Sequence, residues 1–471
     1  MTARAEPISL PGVLHLIHGH GGGTEHHVRA LIDASRTACR HHLAFAIGDS
    51  WRIDEHRSDG TQQCLAFDRG ADESWADFVG GICSRLGIDV IHLHNLSGCR
   101  DGIITALAAL RVPYGYTVHD LNFACPTMLF LGVDGNYCGQ VTEQSVCARC
   151  LRAQPAFAQV DIVDWRLRHG ALAANAAFLI APSRWAAAAL ERYYPERRVT
   201  VIPHATPNDW ALDTDEAMGA LPPLAPAHGL ALPDDGKATV AVLGAVGPDK
   251  GARRLERMAA LVRSENLPVR FVLIGYMDVE HGPWQSDGAV LTVHGRYQPR
   301  DLPALLAKYR VRLVAFPSAG PETFSFTLSE SWAAGYPVVV PPFGALAERV
   351  AEADAGFLWS DAEWRDEARM LARIVTLLHP PNAAALAAAA TRGSAVKPST
   401  VAEMAARTLN LYAEAILARP ASPSGEGASS PSGGSSALAT ALRRLAATPT
   451  ARMMSRITPA RVRKALKARL R

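Results

Sequence analysis

Two glutamates, Glu322 and Glu330, have the residue type and spacing to hold the two ends of a phosphorylated ligand. The apolar and Ala-containing stretch after Thr323 predicts a helix that begins near Phe324 and ends at Gly335. Glu330 then lies eight residues beyond Glu322, roughly 12 Å along the axis at about 1.5 Å per residue. Unpaired N–H groups at a helix start bind phosphate. An acid, a phosphate cradle and a second acid suit a sugar–diphosphate–nucleoside, although two glutamates on an amphipathic helix can also be merely solvated.

Two further features follow predicted strands in the first part of the chain. His119 ends the strand at 114–118, where an imidazole can exchange a hydrogen bond with a sugar hydroxyl, and Asp120 is expected to orient it. A strand-end histidine can also be structural. The glycines at 21–23 follow the first strand and open a helix, so the backbone can approach a ligand closely there. They match a dinucleotide-binding fingerprint only in part, with Asp49 as the nearest candidate acid, and a tight strand–helix turn is the alternative.

The elements that must position these residues alternate between short apolar strands and helices. This alternation is the βαβ signature of a doubly wound parallel sheet, and it occurs twice. Ligands of such sheets favour the crevice at the strand ends. Helices fit between the strands, for example at 26–35 and 185–194. Strands are predicted at 13–17, 42–46, 90–93, 114–118, 178–181 and 200–202 in the first set, and at 238–244, 270–274, 289–293, 311–316 and 337–340 in the second.

Composition divides the chain into two domains with extensions. The first domain is predicted at 1–205, with a cysteine-rich loop at 125–150 on the side of the cleft opposite the Glu322 segment. A Pro-, Ala- and Gly-rich linker follows at 206–237, and the second domain is predicted at 238–418, closed by the Ala-rich helical segment 382–418. A flexible Ser/Gly/Pro linker at 419–435 and a basic tail at 436–471 complete the chain.

The segment 321–330, with seven residues between its glutamates, resembles the donor-site motif of the retaining family-4 glycosyltransferases, among the group 1 glycosyltransferases. The Thr-x-His-Asp setting of His119 resembles that family's active-site histidine, and the loop 243–251 resembles its Gly-Arg-x-x-x-x-Lys-Gly loop. The resemblance spans roughly residues 12–351. It implies an α/β fold of the GT-B type, with two doubly wound Rossmann-like domains facing across a cleft. It also implies a nucleotide-sugar donor and no catalytic metal.

The resemblance further implies roles for individual residues. Glu322 and His119 hold the donor sugar, Glu330 binds the ribose hydroxyls, and Lys250 stabilises the leaving diphosphate. One departure stands out, because Ala245 occupies the place of the family's arginine. Arg296, which lies where the nucleotide base is usually held, or Arg253 could supply that charge. The implied donor-binding set is Gly22, Gly23, Phe324, Ser325, Glu330 and Arg296.

Four cysteines, Cys125, Cys138, Cys147 and Cys150, form a separate signal. Disulfides are disfavoured in the cytoplasm, whereas four thiolates can hold Zn²⁺ tetrahedrally. The pattern predicts a structural zinc site that helps to shape the acceptor side of the cleft. Four reduced or redox-active thiols are the alternative. The other four cysteines are isolated and are expected to be small buried apolar residues.

Two other groups of potential metal ligands are interpreted as having no metal role. His15, His18, His20, His26 and His27 cluster in sequence, but a strand followed by a helix should place them on different faces. The sequence 213–215 matches an Asp-x-Asp metal motif, yet it lies in the linker with no strand before it. Its carboxylates are expected to be solvated.

Charge is distributed unevenly along the 471 residues. The net charge of +3 hides a tail at 436–471 with ten Lys or Arg residues and no acid, so the rest of the chain carries a net charge of −7. The end of the tail, from Pro459, can form a basic amphipathic helix that suits an anionic membrane surface. Nucleic-acid contact and simple disorder are its alternatives. A polar N-terminus and the lack of a long apolar stretch favour a cytoplasmic location, peripheral at the membrane.

These observations favour a retaining glycosyltransferase that moves a sugar from a nucleotide-diphosphate sugar to a glycan or lipid-linked acceptor, in cell-surface polysaccharide biosynthesis. A glycoside hydrolase would need carboxylates about 5–5.5 or 6.5–9.5 Å apart, closer than this pair. A sugar-nucleotide epimerase on the same fold remains an alternative. So does a non-catalytic nucleotide- or carbohydrate-binding scaffold, which Ala245 favours. A dehydrogenase is the weakest of these interpretations.

Overall fold

Two α/β domains, each built on one sheet, make up the part of the chain that the structure describes. The computed structural model describes residues 10–19, 21–96, 99, 102–205, 230–277 and 283–418. The first sheet contains β1 (Gly12–Ile17), β2 (Arg40–Ile47), β3 (Ser50–His56), β4 (Gln62–Asp68), β5 (Val90–Leu93), β6 (Tyr114–Thr117), β7 (Phe178–Ala181) and β8 (Thr200–Val201). The second contains β9 (Ala238–Val246), β10 (Val269–Met277), β11 (Trp284–Gln285), β12 (Leu291–Gly295), β13 (Val311–Ala315), β14 (Val338–Val340) and β15 (Phe357–Leu358).

Helices cover both faces of the two sheets. Those between the strands of the first sheet are α1 (Gly23–Ser35), α2 (Trp75–Leu86), α3 (Gly102–Ala109), α4 (Gln144–Arg152), α5 (Ile162–Asn175) and α6 (Arg184–Tyr193). Those that follow β9 are α7 (Ala252–Ser264), α8 (Leu302–Lys308), α9 (Phe326–Ala333), α10 (Gly344–Ala353), α11 (Asp361–Trp364), α12 (Glu367–Leu378), α13 (Ala383–Ala395) and α14 (Val401–Leu417).

Strand order places a ligand crevice at one point in each sheet. The orders are β4-β3-β2-β1-β5-β6-β7-β8 and β11-β12-β10-β9-β13-β14-β15. In the first sheet the chain runs from β1 through β2, β3 and β4 to one edge, and it then returns to the other side of β1 to form β5. In the second sheet, β13 returns to the other side of β9 in the same way. Open α/β sheets bind ligands outside the carboxyl ends of the strands at such switch points. The two doubly wound domains predicted from the alternation are confirmed.

Largely apolar runs explain why these strands form. All six residues of β1 are buried, and β9 pairs with β10 over nine residues in parallel, as expected of strands covered on both faces. The predicted strands agree with the observed ones to within three residues at each end. The antiparallel strands β3 and β4 were not predicted. In β3 only Trp51 and Ile53 are large apolar residues, and its charged residues obscure a half-buried strand that lies between β2 and the edge strand β4.

The helical segment 382–418 divides between the two domains, which corrects the predicted boundary at 418. Its first helix, α13, packs on the second domain, where a Cβ on Gly393 would meet the Trp332 indole at 2.4 Å. Its second helix, α14, crosses back to the first domain. There Tyr412 lies in a buried cluster with Val13 and donates or accepts a hydrogen bond of 2.6 Å with His92 Nδ1. The chain therefore ends its described part in the core of the first domain.

Several predictions concern residues outside the described part. They include most of the linker (206–229), with the Asp-x-Asp sequence at 213–215, as well as the spacer at 419–435 and the basic tail at 436–471. Among the helices that the structure describes, none has both the length and the apolar character needed to cross a membrane.

Candidate active site

The loop before α9 turns into the helix through a strained residue. Ser325 has φ 72° and ψ 100°, on the side of the backbone map that favours glycine. α9 begins at Phe326, two residues after the predicted start. The Ser325 side chain makes no capping hydrogen bond, and its hydroxyl lies 3.2 Å from Thr327 Oγ1 instead. No side-chain cap therefore occupies the first N–H groups of α9, which is what a phosphate seat requires.

A partly buried arginine, Arg349, holds this loop in place, although the sequence alone does not single it out. Arg349 Nη1 donates to the carbonyl oxygens of Phe324 and Ser325 at 3.0 and 2.8 Å, and Nη2 donates to Ser329 Oγ at 2.7 Å. In a planar trans peptide the N–H points opposite to the C=O. The amides of Ser325 and Phe326 therefore point away from the guanidinium. Nothing in the local sequence of α10 distinguishes Arg349 from an ordinary surface arginine.

The charge of Arg349 is balanced by carboxylates. Burial lowers the pKa of Arg349 to about 10, and the nearby Glu322 and Glu348 oppose that shift. The group is therefore charged at neutral pH. Its guanidinium also lies over the Phe324 ring, 4.2 Å from the centroid. A fixed positive charge thus lies behind the loop and next to Glu322.

Backbone contacts with α10 fix Glu322. Its carbonyl oxygen accepts a hydrogen bond from Ala345 N at 2.9 Å. Gly344 has φ 77°, and a Cβ there would come within 3.2 Å of the Glu322 nitrogen and oxygen. Only glycine allows α10 to begin so close to the loop.

Glu330 lies deeper, on the first turns of α9. It is 8% exposed, and its Oε2 accepts a hydrogen bond of 2.5 Å from the Tyr297 hydroxyl. Burial raises the pKa of Glu330, while the bond from Tyr297 and the charge of Lys250 oppose that rise. The structure therefore brings Lys250 and Glu330 into one electrostatic environment, although they are far apart in sequence.

The loop that carries Lys250 lies at the switch point of the second sheet. Asp249 O accepts hydrogen bonds from Ala319 N at 2.8 Å and Gly320 N at 3.2 Å. A Cβ on Gly251, which has φ 91°, would lie 2.1 Å from Pro317 O. The loops after β9 and β13 thus pack directly on each other, and the second of them continues to Glu322.

Ala245, where the resemblance leads us to expect arginine, is exposed at the end of β9. Its partner across the sheet is Tyr276 of β10. The Arg296 guanidinium, which follows β12, lies over the Tyr276 ring, 4.6 Å from the centroid. Of the two predicted substitutes, Arg296 is therefore the one that the structure places next to Ala245, while Arg253 is exposed on α7.

Residues of the first domain lie against the start of α9. The Thr323 hydroxyl donates to His119 O at 2.8 Å, and a Cβ on Gly23 would meet the Phe326 ring at 3.2 Å. Gly22, with φ 82°, caps α1 beside it. The structure thus brings the glycine loop and His119 to the segment that separates Glu322 from Glu330.

The expected partnership between Asp120 and His119 is wrong. Asp120 accepts hydrogen bonds from Asn95 Nδ2 at 2.5 Å and from Asn122 N at 2.8 Å. His119 Nε2 instead lies 3.1 Å from His94 Nδ1. Asp120 therefore shapes the turn after β6, whereas His94 contacts the His119 ring.

Other contacts join the domains away from this site. The Glu348 carboxylate accepts from Arg184 N at 3.0 Å and from Trp185 N, so a side chain of the second domain caps α6 of the first. The cysteine-rich loop also reaches across, since Tyr137 N donates to Ala319 O at 2.9 Å. Because Ala319 also binds Asp249, that loop adjoins the one carrying Lys250.

The four cysteines of the predicted zinc site lie near one another without meeting at one point. Burial raises the pKa of Cys125 to about 11, and the neighbouring Cys138 and Cys147 add to it. Cys150 likewise contributes to the raised pKa of Cys138, after burial. In the described part of the chain, however, the groups of three or more ligand atoms within 4.8 Å of one another consist of histidines.

Those histidine groups correct the expectation that His15 and His27 lie on different faces. One group is His15, His92 and His94, and the other is His27, His94 and His119. β1 and α1 direct His15 and His27 into the same buried layer, which β5 and β6 complete. Sequence spacing could not show this, because the cluster draws on strands far apart in the chain. His20 lies outside the described residues.

Two family models match the chain, one for each domain. The model described as Glycosyltransferase Family 4 matches residues 21–209, and that described as Glycosyl transferases group 1 matches residues 237–380. Together they cover more than two thirds of the sequence. The chain belongs to the group 1 glycosyltransferases. No curated protein matches it.

Solved structures of the same fold agree. Sucrose-phosphate synthase from Thermosynechococcus elongatus is 18% identical with a TM-score of 0.55, over 85% of this chain and 98% of that one. The catalytic domain of starch synthase IV from Arabidopsis thaliana, bound to ADP and acarbose, is 13% identical with a TM-score of 0.55, over 87% and 99%. Anabaena HepE in complex with UDP-glucose is 17% identical with a TM-score of 0.54, over 84% and 99%. The predicted GT-B fold is confirmed.

Because several histidines are buried, we expect the free energy of unfolding to fall in mild acid. Burial lowers the pKa of His27 and His41 to about 3 and that of His42 to about 4. These groups are neutral in both states above about pH 6.5, the unperturbed histidine pKa, and below it only the unfolded chain takes up protons. At about 1.4 kcal/mol per pH unit for each group, the three lower the free energy of unfolding by about 6 kcal/mol at pH 5. Urea unfolding at pH 7.5, 6.5 and 5.5 measures this slope.

Replacing His42 separates this effect from general acid denaturation. Both ring nitrogens of His42 are buried and have no hydrogen-bond partner among the residues that the structure describes, so His42→Leu should reduce the slope by about one proton. His379→Leu, at an exposed histidine, is the matched control and should leave the slope unchanged. A stability that stays constant from pH 7.5 to 5.5 would contradict the prediction.

Proposed function

We propose that this glycosyltransferase moves a sugar, with retention of configuration, from a nucleoside-diphosphate sugar to a glycan or lipid-linked acceptor. The observation that carries the proposal is the uncapped start of α9 between Glu322 and Glu330, with Lys250 on one side and His119 on the other. Such an arrangement offers a cation and backbone donors to a diphosphate and carboxylates to the groups at its two ends.

The nucleoside end of the donor is assigned to Glu330. Its buried carboxylate already accepts one hydrogen bond, from Tyr297, and a carboxylate has about four acceptor positions in all. The remaining positions suit the two hydroxyls of a ribose. The loop 295–297 lies beside it and is assigned to the base. That UDP, ADP and UDP-glucose are bound in structures of the same fold is consistent with such a ligand.

The diphosphate is assigned to the amides of Ser325 and Phe326, with Lys250 beside them. Arg349 holds the adjacent carbonyl groups, so these amides are oriented before the ligand arrives and need no reorganisation when charge develops. In the reaction the bond between the sugar carbon and the phosphate oxygen breaks, and the electron pair leaves with the diphosphate. The acceptor oxygen attacks the same face, as the family resemblance implies, and its proton passes to a departing phosphate oxygen.

Glu322 and His119 are assigned to the sugar. The hydrogen bond between Thr323 and His119 O holds their two segments together, so both side chains can reach one ring only while the domains are in contact. Closure of the domains also removes water, which would otherwise compete with the acceptor.

Two alternatives are tested by the same preparation. A sugar-nucleotide epimerase would convert its substrate without an acceptor. A binding scaffold, which the exposed Ala245 favours, would release no nucleoside diphosphate at all, so slow hydrolysis of the donor by pure protein would count against it. The anomeric configuration of the product decides between retention and inversion.

One prediction of this proposal concerns donor binding. A nucleoside diphosphate at 100 times its Kd should raise the free energy of unfolding by about 2.7 kcal/mol, which a thermal-shift screen of nucleoside diphosphates and their sugars detects. Glu330→Ala should weaken binding by about 10- to 150-fold, the value of hydrogen bonds to a charged group. Glu256→Ala, at an exposed glutamate of the same domain, is the control. Equal stabilisation of the Glu330 variant and the parent would contradict the proposal.

Another prediction concerns the arginine that Ala245 replaces. If Arg296 replaces it, Arg296→Ala should weaken diphosphate binding by about tenfold, as expected for one lost charge-assisted hydrogen bond. Adding Ala245→Arg should restore it, because Ala245 lies beside Tyr276, on which Arg296 stacks. Calorimetric titration with uridine and guanosine diphosphates measures both. Arg312→Ala, an exposed residue near the start of β13, is the control. Failure of the double variant to recover affinity would reject Arg296 in this role.

We also propose that Cys125, Cys138, Cys147 and Cys150 hold a structural zinc ion. Burial raises the pKa of Cys125 and of Cys138, and the neighbouring thiols add to the rise in both cases, a repulsion that a divalent cation would relieve. Binding requires the four sulfurs to converge to Zn–S distances of about 2.3 Å. The bound metal would stiffen the loop in which Tyr137 N donates a hydrogen bond to Ala319 O. No catalytic role is proposed for the metal.

Elemental analysis tests the zinc proposal. Protein purified without chelators should contain one zinc per chain, and Cys147→Ser should lose it, while Cys64→Ser, at an exposed cysteine outside the group, should keep it. The loss should also lower the melting temperature, since the metal binds only the folded loop. Metal-free protein that also fails to take up zinc under reducing conditions would favour four free thiols.

The acceptor class, the role in cell-surface polysaccharide biosynthesis and the membrane association of the segment 436–471 remain proposals. They rest on the family resemblance and on the ten basic residues of that segment, which lies outside the described residues.

A further inference from the structure

Four imidazoles form a continuous line across the first domain; the rings of His41, His15 and His94 are buried, and the line ends at the partly buried His119. They come from four neighbouring strands, since β2, β1, β5 and β6 lie side by side in the sheet. His41 belongs to β2 and His15 to β1, whereas His94 and His119 follow β5 and β6. The line therefore runs diagonally across the sheet, from its interior to the strand ends that form the crevice.

Each link in this line has hydrogen-bond length. His41 Nδ1 lies 3.0 Å from His15 Nε2, His15 Nδ1 lies 3.1 Å from His94 Nε2, and His94 Nδ1 lies 3.1 Å from His119 Nε2. At the inner end, His41 Nε2 lies 3.0 Å from the hydroxyl of Ser35, the last residue of α1. All three links join an Nδ1 to an Nε2, so they can all have the same direction.

The Ser35 hydroxyl decides that direction. It donates its single proton to the carbonyl oxygen of Leu31, because a carbonyl can only accept. It must then accept from His41, which places a proton on His41 Nε2. A neutral imidazole with a proton on Nε2 has a lone pair on Nδ1, so His15 must donate to it from its own Nε2. By the same rule, His94 Nε2 donates to His15 Nδ1, and His119 Nε2 donates to His94 Nδ1.

The rule requires neutral rings, and their environment supplies that condition. Burial lowers the pKa of His15, His94 and His119 well below the usual value, and repulsion between neighbouring imidazoles lowers it further. Burial also lowers the pKa of His41 to about 3. At neutral pH each ring therefore has one N–H and one lone pair.

We infer that the Ser35–His41–His15–His94 line is a positioning device that fixes His119 as the tautomer with its proton on Nε2 and its lone pair on Nδ1. Resting on the proposed function, this makes His119 a hydrogen-bond acceptor toward a hydroxyl of the donor sugar or the acceptor, not a donor to it. Ser35, His41, His15 and His94 touch no substrate. They act through His119.

A metal ion is the competing explanation for these residues. His27, His94 and His119 have ligand atoms within 4.8 Å of one another. An ion held by these three rings would take the lone pair of His94 Nδ1 or its Nε2, and both nitrogens already lie at hydrogen-bond distance from other histidines. The observed line therefore accounts for both nitrogens of His94 without an ion.

Nitrogen NMR of the imidazole rings tests the inference without depending on activity. In protein labelled with ¹⁵N-histidine, the resonances of His119 are those absent from His119→Gln. In the parent protein they should show a protonated Nε2 and an unprotonated Nδ1. Ser35→Ala removes the acceptor that sets the direction, so a second His119 tautomer, or shifts averaged between the two, should appear.

Thr408→Val is the matched control. Its hydroxyl is also buried and also donates to the carbonyl four residues earlier in a helix, but no hydrogen bond among the described residues joins it to these histidines. It should leave the His119 resonances unchanged.

A parent His119 protonated on Nδ1, or on both nitrogens, would overturn the inference. So would an unchanged His119 in Ser35→Ala, or one bound metal ion per chain whose removal shifts the His94 and His119 resonances. The parent spectrum alone decides if the variant fails to fold. Loss of donor binding with the expected tautomer intact would instead count against the proposed function.

Discussion

The candidate site depends on one partly buried cation, Arg349. It binds the carbonyl groups of Phe324 and Ser325 and thereby turns the following amides toward the place assigned to a diphosphate. Without it, the strained conformation of Ser325 would have little to maintain it, because a side-chain cap is absent there. Burying a guanidinium is costly unless its hydrogen bonds and charge are matched, and here three oxygen acceptors and the nearby Glu322 provide that match.

A second constraint is that the two halves of the site belong to different domains. Thr323 binds the backbone at His119, Glu348 caps a helix of the first domain, and α14 returns from the second domain to the first. Each of these hydrogen bonds is modest alone, about 1 kcal/mol in a typical case. Together they bring strand ends from two separate sheets to one crevice. Domain contact and site assembly are therefore the same event in this protein.

The histidine layer shows how a fold can accept a cost in stability near a site. Neutral imidazoles buried in the sheet lower the free energy of unfolding as soon as the unfolded chain begins to protonate. Within the described part of the chain, His42 has no hydrogen-bond partner to offset that cost. The His41, His15 and His94 rings, in contrast, satisfy one another and transmit a direction from the end of α1 to His119. The same burial that weakens the protein in acid keeps these rings neutral and their order defined.

By itself the sequence determined the elements and the local chemistry. Unbroken apolar runs such as β7 specify buried parallel strands, and the spacing of Glu322 and Glu330 depends only on positions in one segment. What spans distant segments was decided by the tertiary structure alone. The role of Arg349, the histidine line and the return of α14 come from strand order and packing, which bring together residues up to 320 positions apart, as with His92 and Tyr412. The neighbouring strands β3 and β4 were missed for a related reason, because the charged residues of β3 and the polar residues of β4 make sense only once one face of each strand is seen to be at least partly buried. Local patterns record which face an element buries, whereas only the assembled sheets decide what it is buried against.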